Sequence, residues 1–458
     1  MTSEKGPRMF YGLRGPRPRA AYGAMLGLVC ALVGLLGSPI AVRALTVEEI
    51  VSAKGIKAWL VEEHAVPLIA IRFAFAGGAT QDQPGKEGQA GMVADLLMEG
   101  AGDLSAAALK EKLSRLGVRL STSSSRDAVY GGLETLTARF GPSAELLRLM
   151  LVAPRFDADA IERVRSQHLT DLAIAANEPS RVGVDRWYSE AFKGHPYGRP
   201  VDGTPESIAR LTRDDLKGQH ARLLARDVLK IVIVGDIDKR AAAAAIDAIF
   251  GGLPEKAQLD RVERAEPRSL PAPVIVDKEQ PLATATFGIA SLPTNHPDFP
   301  ALQVLNHVIG SGDFDSRLME EVRVKRGLAY SIQTGLLHDS VASLLLGGFA
   351  TKNETMGVAL AAVRDVLATT ARNGPTPAQF ENAKRYLVGS LLLDFDTNAK
   401  VAGSLLGVWL NGEGPDYLLT RNQKIGAVTL KDVKRVAEQV LKPDRLTVTI
   451  VGKPKLDP

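Results

Sequence analysis

The chain is poor in the residues that most often carry covalent or metal chemistry. Its one cysteine is Cys30, within the first 44 residues. Once that segment is removed there is no thiol, which excludes disulfides and cysteine nucleophiles from the remainder. There are seven histidines (His64, His168, His195, His220, His296, His307 and His338), and no two lie within five residues of each other. A local imidazole pair gripping zinc from one helix face is therefore absent. His195 and His296 each precede a proline and read as loop residues. No Gly-x-Ser-x-Gly elbow surrounds the Thr122–Ser125 run "TSSS", which removes the usual frame for a serine nucleophile. "PGKEG" is not a phosphate loop: the glycine needed five residues before Gly85 is Thr80, and Glu87 stands where Ser or Thr is required.

An excess of positive charge is also missing from most of the chain. Formal net charge is +4 and the sequence pI about 9.0. The first 44 residues hold six of the 56 basic residues and one of the 52 acidic ones, leaving 50 against 51. A nucleic-acid reading loses its electrostatic support. That leading segment has a basic start (Lys5, Arg8, Arg14, Arg17, Arg19), an apolar run over Ala21–Gly37, and small residues before Ala44. The layout predicts residues 1–44 to be a secretory signal peptide cut after Ala44. The alternative is an uncleaved anchor in the inner membrane. Export without disulfides points to a periplasmic protein, stabilised by core burial alone.

The remaining chain is long enough for two domains, and the full sequence has 45% hydrophobic residues. It also repeats itself. Leu211–Asp238 lies over Val428–Pro454 at an offset of 217 residues: Thr212 meets Thr429, Asp215 meets Asp432, and Val234-Gly235 meets Val451-Gly452. Each copy reads as a Thr-capped helix, a turn and a β-rich strand. "PLIAIRFAFAGG" (Pro67–Gly78) and "PLATATFGIASL" (Pro281–Leu292) repeat more loosely as alternating strands. The expectation is an α+β fold of two homologous, duplicated domains, each a mixed or antiparallel sheet packed with helices. The first spans residues 45–255, a charged, proline-punctuated linker residues 256–272, and the second domain residues 273–456.

"GKEGQAGMVADLLMEGAG" (Gly85–Gly102) and "FKGHPYGRPVDGTPESIARLTRDDL" (Phe192–Leu216) give the chain a specific resemblance to the pitrilysin, or insulinase-type, zinc peptidases. The resemblance runs along nearly the whole length after the signal and implies a half-clam of two such domains. Peptidases of that family carry His-x-x-Glu-His on the helix that this Gly85–Gly102 stretch resembles, two imidazoles gripping zinc and the glutamate activating its water. Here the three positions fall on Gly91, Ala94 and Asp95, and the downstream glutamate ligand on or beside Asp171. All four depart from the family pattern, so no metal is expected in this chain. Met92, Leu96 and Leu97 are expected to face the core.

A second family element is retained. "FDSRLMEEVRVKRGLAYSIQTG" (Phe314–Gly335) matches a segment in which an Arg and a Tyr seven residues apart hold the substrate backbone and help stabilise the tetrahedral intermediate. Arg323 and Tyr330 match in type and spacing. A guanidinium and a phenol suit developing oxyanion charge. The resemblance therefore implies the non-metal subunit of a heterodimeric, periplasmic zinc endopeptidase acting on unfolded peptides. Its partner, a zinc-bearing homologue, would supply the metal. The competing expectations are a non-catalytic scaffold or assembly protein of the same fold and a maturation factor that presents a peptide to another enzyme.

Overall fold

The alternating stretches that begin at Pro67 and Pro281 become the central strands of two sheets, and the rest of each half assembles around them. The computed structural model describes residues 46–390 and 395–457; the signal-peptide expectation falls on residues 1–44, outside the described residues. The first sheet contains β1 (Glu48–Val51), β2 (Lys57–Glu62), β3 (Leu68–Ala76), β4 (Arg119–Ser124), β5 (Ala128–Leu136) and β6 (Leu229–Gly235), in the order β1-β2-β6-β3-β5-β4. The second contains β7 (Val274–Val276), β8 (Leu282–Ala290), β9 (Ile332–Asp339), β10 (Ala342–Lys352) and β11 (Thr447–Val451), in the order β9-β10-β8-β11-β7. Apart from β1 the two orders are the same read from opposite ends. In both, one short strand pairs in parallel with the strand of the 217-residue repeat, β2 with β6 and β7 with β11, while the other pairings are antiparallel. The fold is two α+β domains of one design, as duplication predicts.

The helices include α1 (Gln89–Leu96), α2 (Ala158–Ala175), α3 (Pro179–Ala191), α4 (Arg213–Leu223), α5 (Phe299–Asn306), α6 (Pro377–Ser390), α7 (Asn398–Leu410) and α8 (Leu430–Val440). The repeat explains how α4 and α8 start. Thr212 and Thr429 accept from the backbone of Asp215 and Asp432, whose carboxylates accept from the threonine backbones in return. These reciprocal capping boxes satisfy two orphan N–H groups at each helix start.

The cores show why the halves depend on one another. In the first, Ile69, Ile71, Phe73 and Phe75 of β3 pack with Ile231 and Ile233 of β6 and with Ile246 and Phe250. In the second, Ala285, Phe287 and Ile289 of β8 pack with Val304, Leu305, Val363 and Ile450. A further cover on each sheet comes from the opposite half: α3 packs on β8 and β11, and α7 on β3 and β6. Trp187 of α3, fully buried, donates from Nε1 to the Thr447 carbonyl at 2.9 Å, and Thr449 Oγ1 donates to the Gly183 carbonyl at 2.8 Å. In the reverse direction, Trp409 of α7 stacks on Trp59 of β2, centroids 4.7 Å apart and planes 5° from parallel. Lys230 Nζ donates to the Trp409 carbonyl at 2.6 Å. The residues between the sheets follow this seam, with Ala265 N donating to the Val341 carbonyl and Arg268 N to the Ala191 carbonyl. Among the described residues no helix is long and apolar enough to cross a membrane.

Candidate functional site

α1 is gripped on nearly every side. Ala90, Ala94 and Leu97 join the sheet core, while Met92, Val93 and Leu96 join a second cluster with Ile161, Val164, Ile208 and Leu216. Met92, Leu96 and Leu97 are buried as expected. The entry turn ends at Gly88, which has φ +93°, and a side-chain carbon there would come 2.5 Å from Ile208 Cδ1. Only glycine fits both the backbone and the space.

Asp82 holds this helix start. Its carboxylate accepts from Gly88 N at 2.8 Å, Ala90 N at 3.0 Å and Gln219 Nε2 at 3.1 Å. Burial pushes its carboxyl up to about 7, against the downward pull of the Ala90 and Gly88 N–H groups. Asp82→Ala should cost about 3 kcal/mol or more of stability, since each buried donor left without an acceptor costs about 1–3 kcal/mol. Urea unfolding of the variant measures this, and a loss under about 1 kcal/mol would deny Asp82 that role.

The open stripe of α1 is the one bearing Gly91 and Asp95. It is the stripe from which two imidazoles would reach a metal. Gly91 offers no donor, Ala94 is fully buried in the sheet core, and Asp95 is already engaged: its Oδ2 lies 2.7 Å from His168 Nε2. The α2 residue that crosses to α1 is thus His168. Asp171, one turn later, is exposed and accepts from Gln167 Nε2 at 2.8 Å. Sequence reasoning placed the position on or beside Asp171 and missed His168, because spacing along a helix does not reveal which residue faces a neighbour. A side-chain carbon on Gly91 would come 3.3 Å from His168 Cε1 and 3.6 Å from Ser124 Oγ, so the imidazole borders the space where a first ligand would start. The donors present do not fit a zinc centre. Among the described residues no group of three or more His, Cys, Asp or Glu side chains is placed to hold a metal ion.

Arg323 and Tyr330 are brought together. Arg323 lies in a π-helical segment, Met319–Lys325, anchored by buried Met319 and Val322. The chain then doubles back: Leu328 N donates to the Val322 carbonyl at 2.8 Å, and Gly327 takes φ +60°. This return sets the Tyr330 ring 4.6 Å from the Arg323 guanidinium carbon, and Phe314 stands at 4.6 Å as well. The acidic neighbours in the run are otherwise engaged, Glu320 and Glu321 both pairing with Lys325. Arg323 is therefore held by ring faces, which fix a guanidinium without neutralising it. Tyr330 is 82% exposed and Phe314 62% exposed, so the group faces outward, open to a ligand.

The fold and these two regions define a class: a duplicated α+β scaffold whose helix α1 offers no zinc ligand set among the described residues and in which Arg323 and Tyr330 are brought together. A family model described as insulinase (peptidase family M16) matches residues 59–205, and one described as the peptidase M16 inactive domain matches residues 210–387. Together they span well over half of the chain, and the chain belongs to the M16 peptidase family, as a member without the His-x-x-Glu-His motif. It is similar to a non-peptidase homolog, YmxG, of Helicobacter pylori, 27% identical over 90% of this chain and 95% of that one. It is also similar to a probable mitochondrial-processing peptidase subunit beta of Schizosaccharomyces pombe, 25% identical over 82% of this chain and 84% of that one. Among solved structures, a peptidase M16 inactive domain from Pseudomonas fluorescens superposes with a TM-score of 0.84 at 27% identity, covering 90% of this chain and 98% of that one.

Proposed function

We propose that this chain is the non-metal subunit of a two-chain zinc endopeptidase. In this reading it works in the periplasm and lends Arg323 and Tyr330 to a family partner bearing His-x-x-Glu-His. The observation that carries the reading is the asymmetry between the two regions. The ligand stripe of α1 is spent on the Asp95–His168 pair, while Arg323 and Tyr330 are preassembled and outward-facing. A guanidinium and a phenolic O–H set beside a peptide carbonyl favour the charge that gathers on its oxygen as the bond is attacked. The zinc chemistry belongs to the partner, and substrates are unfolded peptides. The likeness to a protein named as one subunit of a processing peptidase supports a paired arrangement.

The alternative is a non-catalytic peptide-binding or assembly protein of the same fold, favoured by the likeness to a protein named a non-peptidase homolog. Co-purification separates the two. This chain and an exported homologue with the intact motif are expected to elute together, zinc in the homologue alone. A fluorogenic unfolded peptide should be cut by the mixture and not by this chain. Stoichiometric zinc in this chain alone, with chelator-sensitive proteolysis, would overturn the reading. A stable complex with unchanged turnover would favour the assembly protein.

A further inference from the structure

Where α7 of the second half ends over the first sheet, a cavity of about 630 Å³ opens at the seam. Its walls include Trp409 of α7 and four cations of the first half, Lys54, Lys57, Arg226 and Lys230. Two carboxylates, Asp227 and Glu255, share the lining, and the rest of it is apolar side chains and a glycine. Glu255 pairs with Arg226 at 2.7 Å, and Asp227 Oδ1 accepts from Ala257 N at 2.9 Å. Lys57 reaches Glu49, outside the lining, at 3.4 Å. Lys54 and Lys230 are left with neutral acceptors: Lys54 Nζ donates to the Gly251 carbonyl at 3.1 Å and Lys230 Nζ to the Trp409 carbonyl at 2.6 Å. Among the described residues neither ammonium meets a carboxylate.

Lys230 is half-buried, and burial holds its ammonium below the ordinary lysine value with no acid pulling the other way. The carbonyl end of α7 beside it carries about half a negative charge, which offsets a whole cation only in part. Arg226 contributes a further donor, since its Nε is buried with no acceptor among the described residues. A partly buried cation without a counter-ion is costly to keep. An anion entering the cavity meets two ammoniums that no carboxylate has neutralised, compact point charges of the kind that hold phosphate oxygens. The indole of Trp409 gives an organic substituent apolar surface to rest on.

We propose that this cavity is an anion site for a phosphate group, held between Lys54 and Lys230 with Trp409 as its wall. The cations come from the first half and the wall from the second, so the ligand ties α7 to the sheet it covers. The site uses neither the Arg323–Tyr330 pair nor a zinc-bearing partner. Its test is calorimetry on the full chain with inorganic phosphate and with phenyl phosphate, each against sodium chloride of equal ionic strength. Saturable binding at one site is expected, with a Kd of about 1 mM or tighter. Tighter binding of phenyl phosphate assigns the site to a phosphate ester that uses the indole, and equal binding assigns it to free phosphate. Lys54→Met should weaken either ligand about tenfold, and Lys230→Met at least as much. Lys54 is exposed, so its substitution leaves the core untouched and decides the matter even if Lys230→Met fails to fold. Phosphate should also raise the unfolding temperature, as any ligand of the native state does, and the rise should shrink in Lys54→Met. No binding beyond the chloride control, or binding unchanged in Lys54→Met, would overturn the proposal. So would binding lost in Arg323→Ala, which would place the anion on that guanidinium instead.

Discussion

Arg323→Ala in the two-chain mixture is expected to lower peptide turnover about 10²-fold or more, the scale for losing one donor to a developing oxyanion. The structure gives this substitution a clean interpretation. Arg323 is held by the faces of Phe314 and Tyr330, while neighbouring Glu320 and Glu321 pair with Lys325. Alanine removes the cation without stranding a buried charge, so stability should barely change and the loss should appear in kcat. Arg323→Lys keeps the charge but gives up the planar stack, and should recover only part of the rate. Tyr330→Phe preserves the ring that positions Arg323 and deletes the phenol, which separates the two roles. Turnover indifferent to Arg323→Ala would remove the residue from the mechanism and favour the assembly reading.

The largest expected effect on stability is at Trp187. This side chain comes from the first half and is buried against the second, where its Nε1 satisfies the Thr447 carbonyl. Trp187 also lies where a side-chain carbon on Gly288 would sit, with Cζ2 2.5 Å from that point, so the strand and the indole are fitted to each other. Trp187→Ala should cost about 3–5 kcal/mol, the range for deleting a buried aromatic. The unfolding midpoint in urea should fall for both halves together, because α3 and α7 each cover the opposite sheet. Two separate transitions, with only the second half weakened, would mean that the exchanged helices do not couple the halves.

The sequence made the duplication legible because it is written in local chemistry. Thr212 and Asp215, like Thr429 and Asp432, form capping boxes that need only four consecutive residues. β3 and β8 announce themselves by alternation. The positions that the family resemblance assigns to zinc were legible too: Gly91 and Ala94 have no side-chain donor atoms in any fold. The Arg323–Tyr330 pair could be named from the family resemblance, which its residue types and spacing match, but its geometry could not. The return at Gly327 and the contribution of Phe314, nine residues before Arg323, are made by the tertiary turn.

By itself the sequence determined the two-domain α+β design and the want of side-chain donors at Gly91 and Ala94, since both depend on residue identity and short-range periodicity. Only the tertiary structure decided that His168, rather than Asp171, meets Asp95. It also decided that each sheet is covered by a helix of the other half, and that Lys54 and Lys230 line one cavity with Trp409. These outcomes depend on which faces of separate helices come within a few ångströms, and that is set by burial of apolar surface across the whole chain, which no local spacing records.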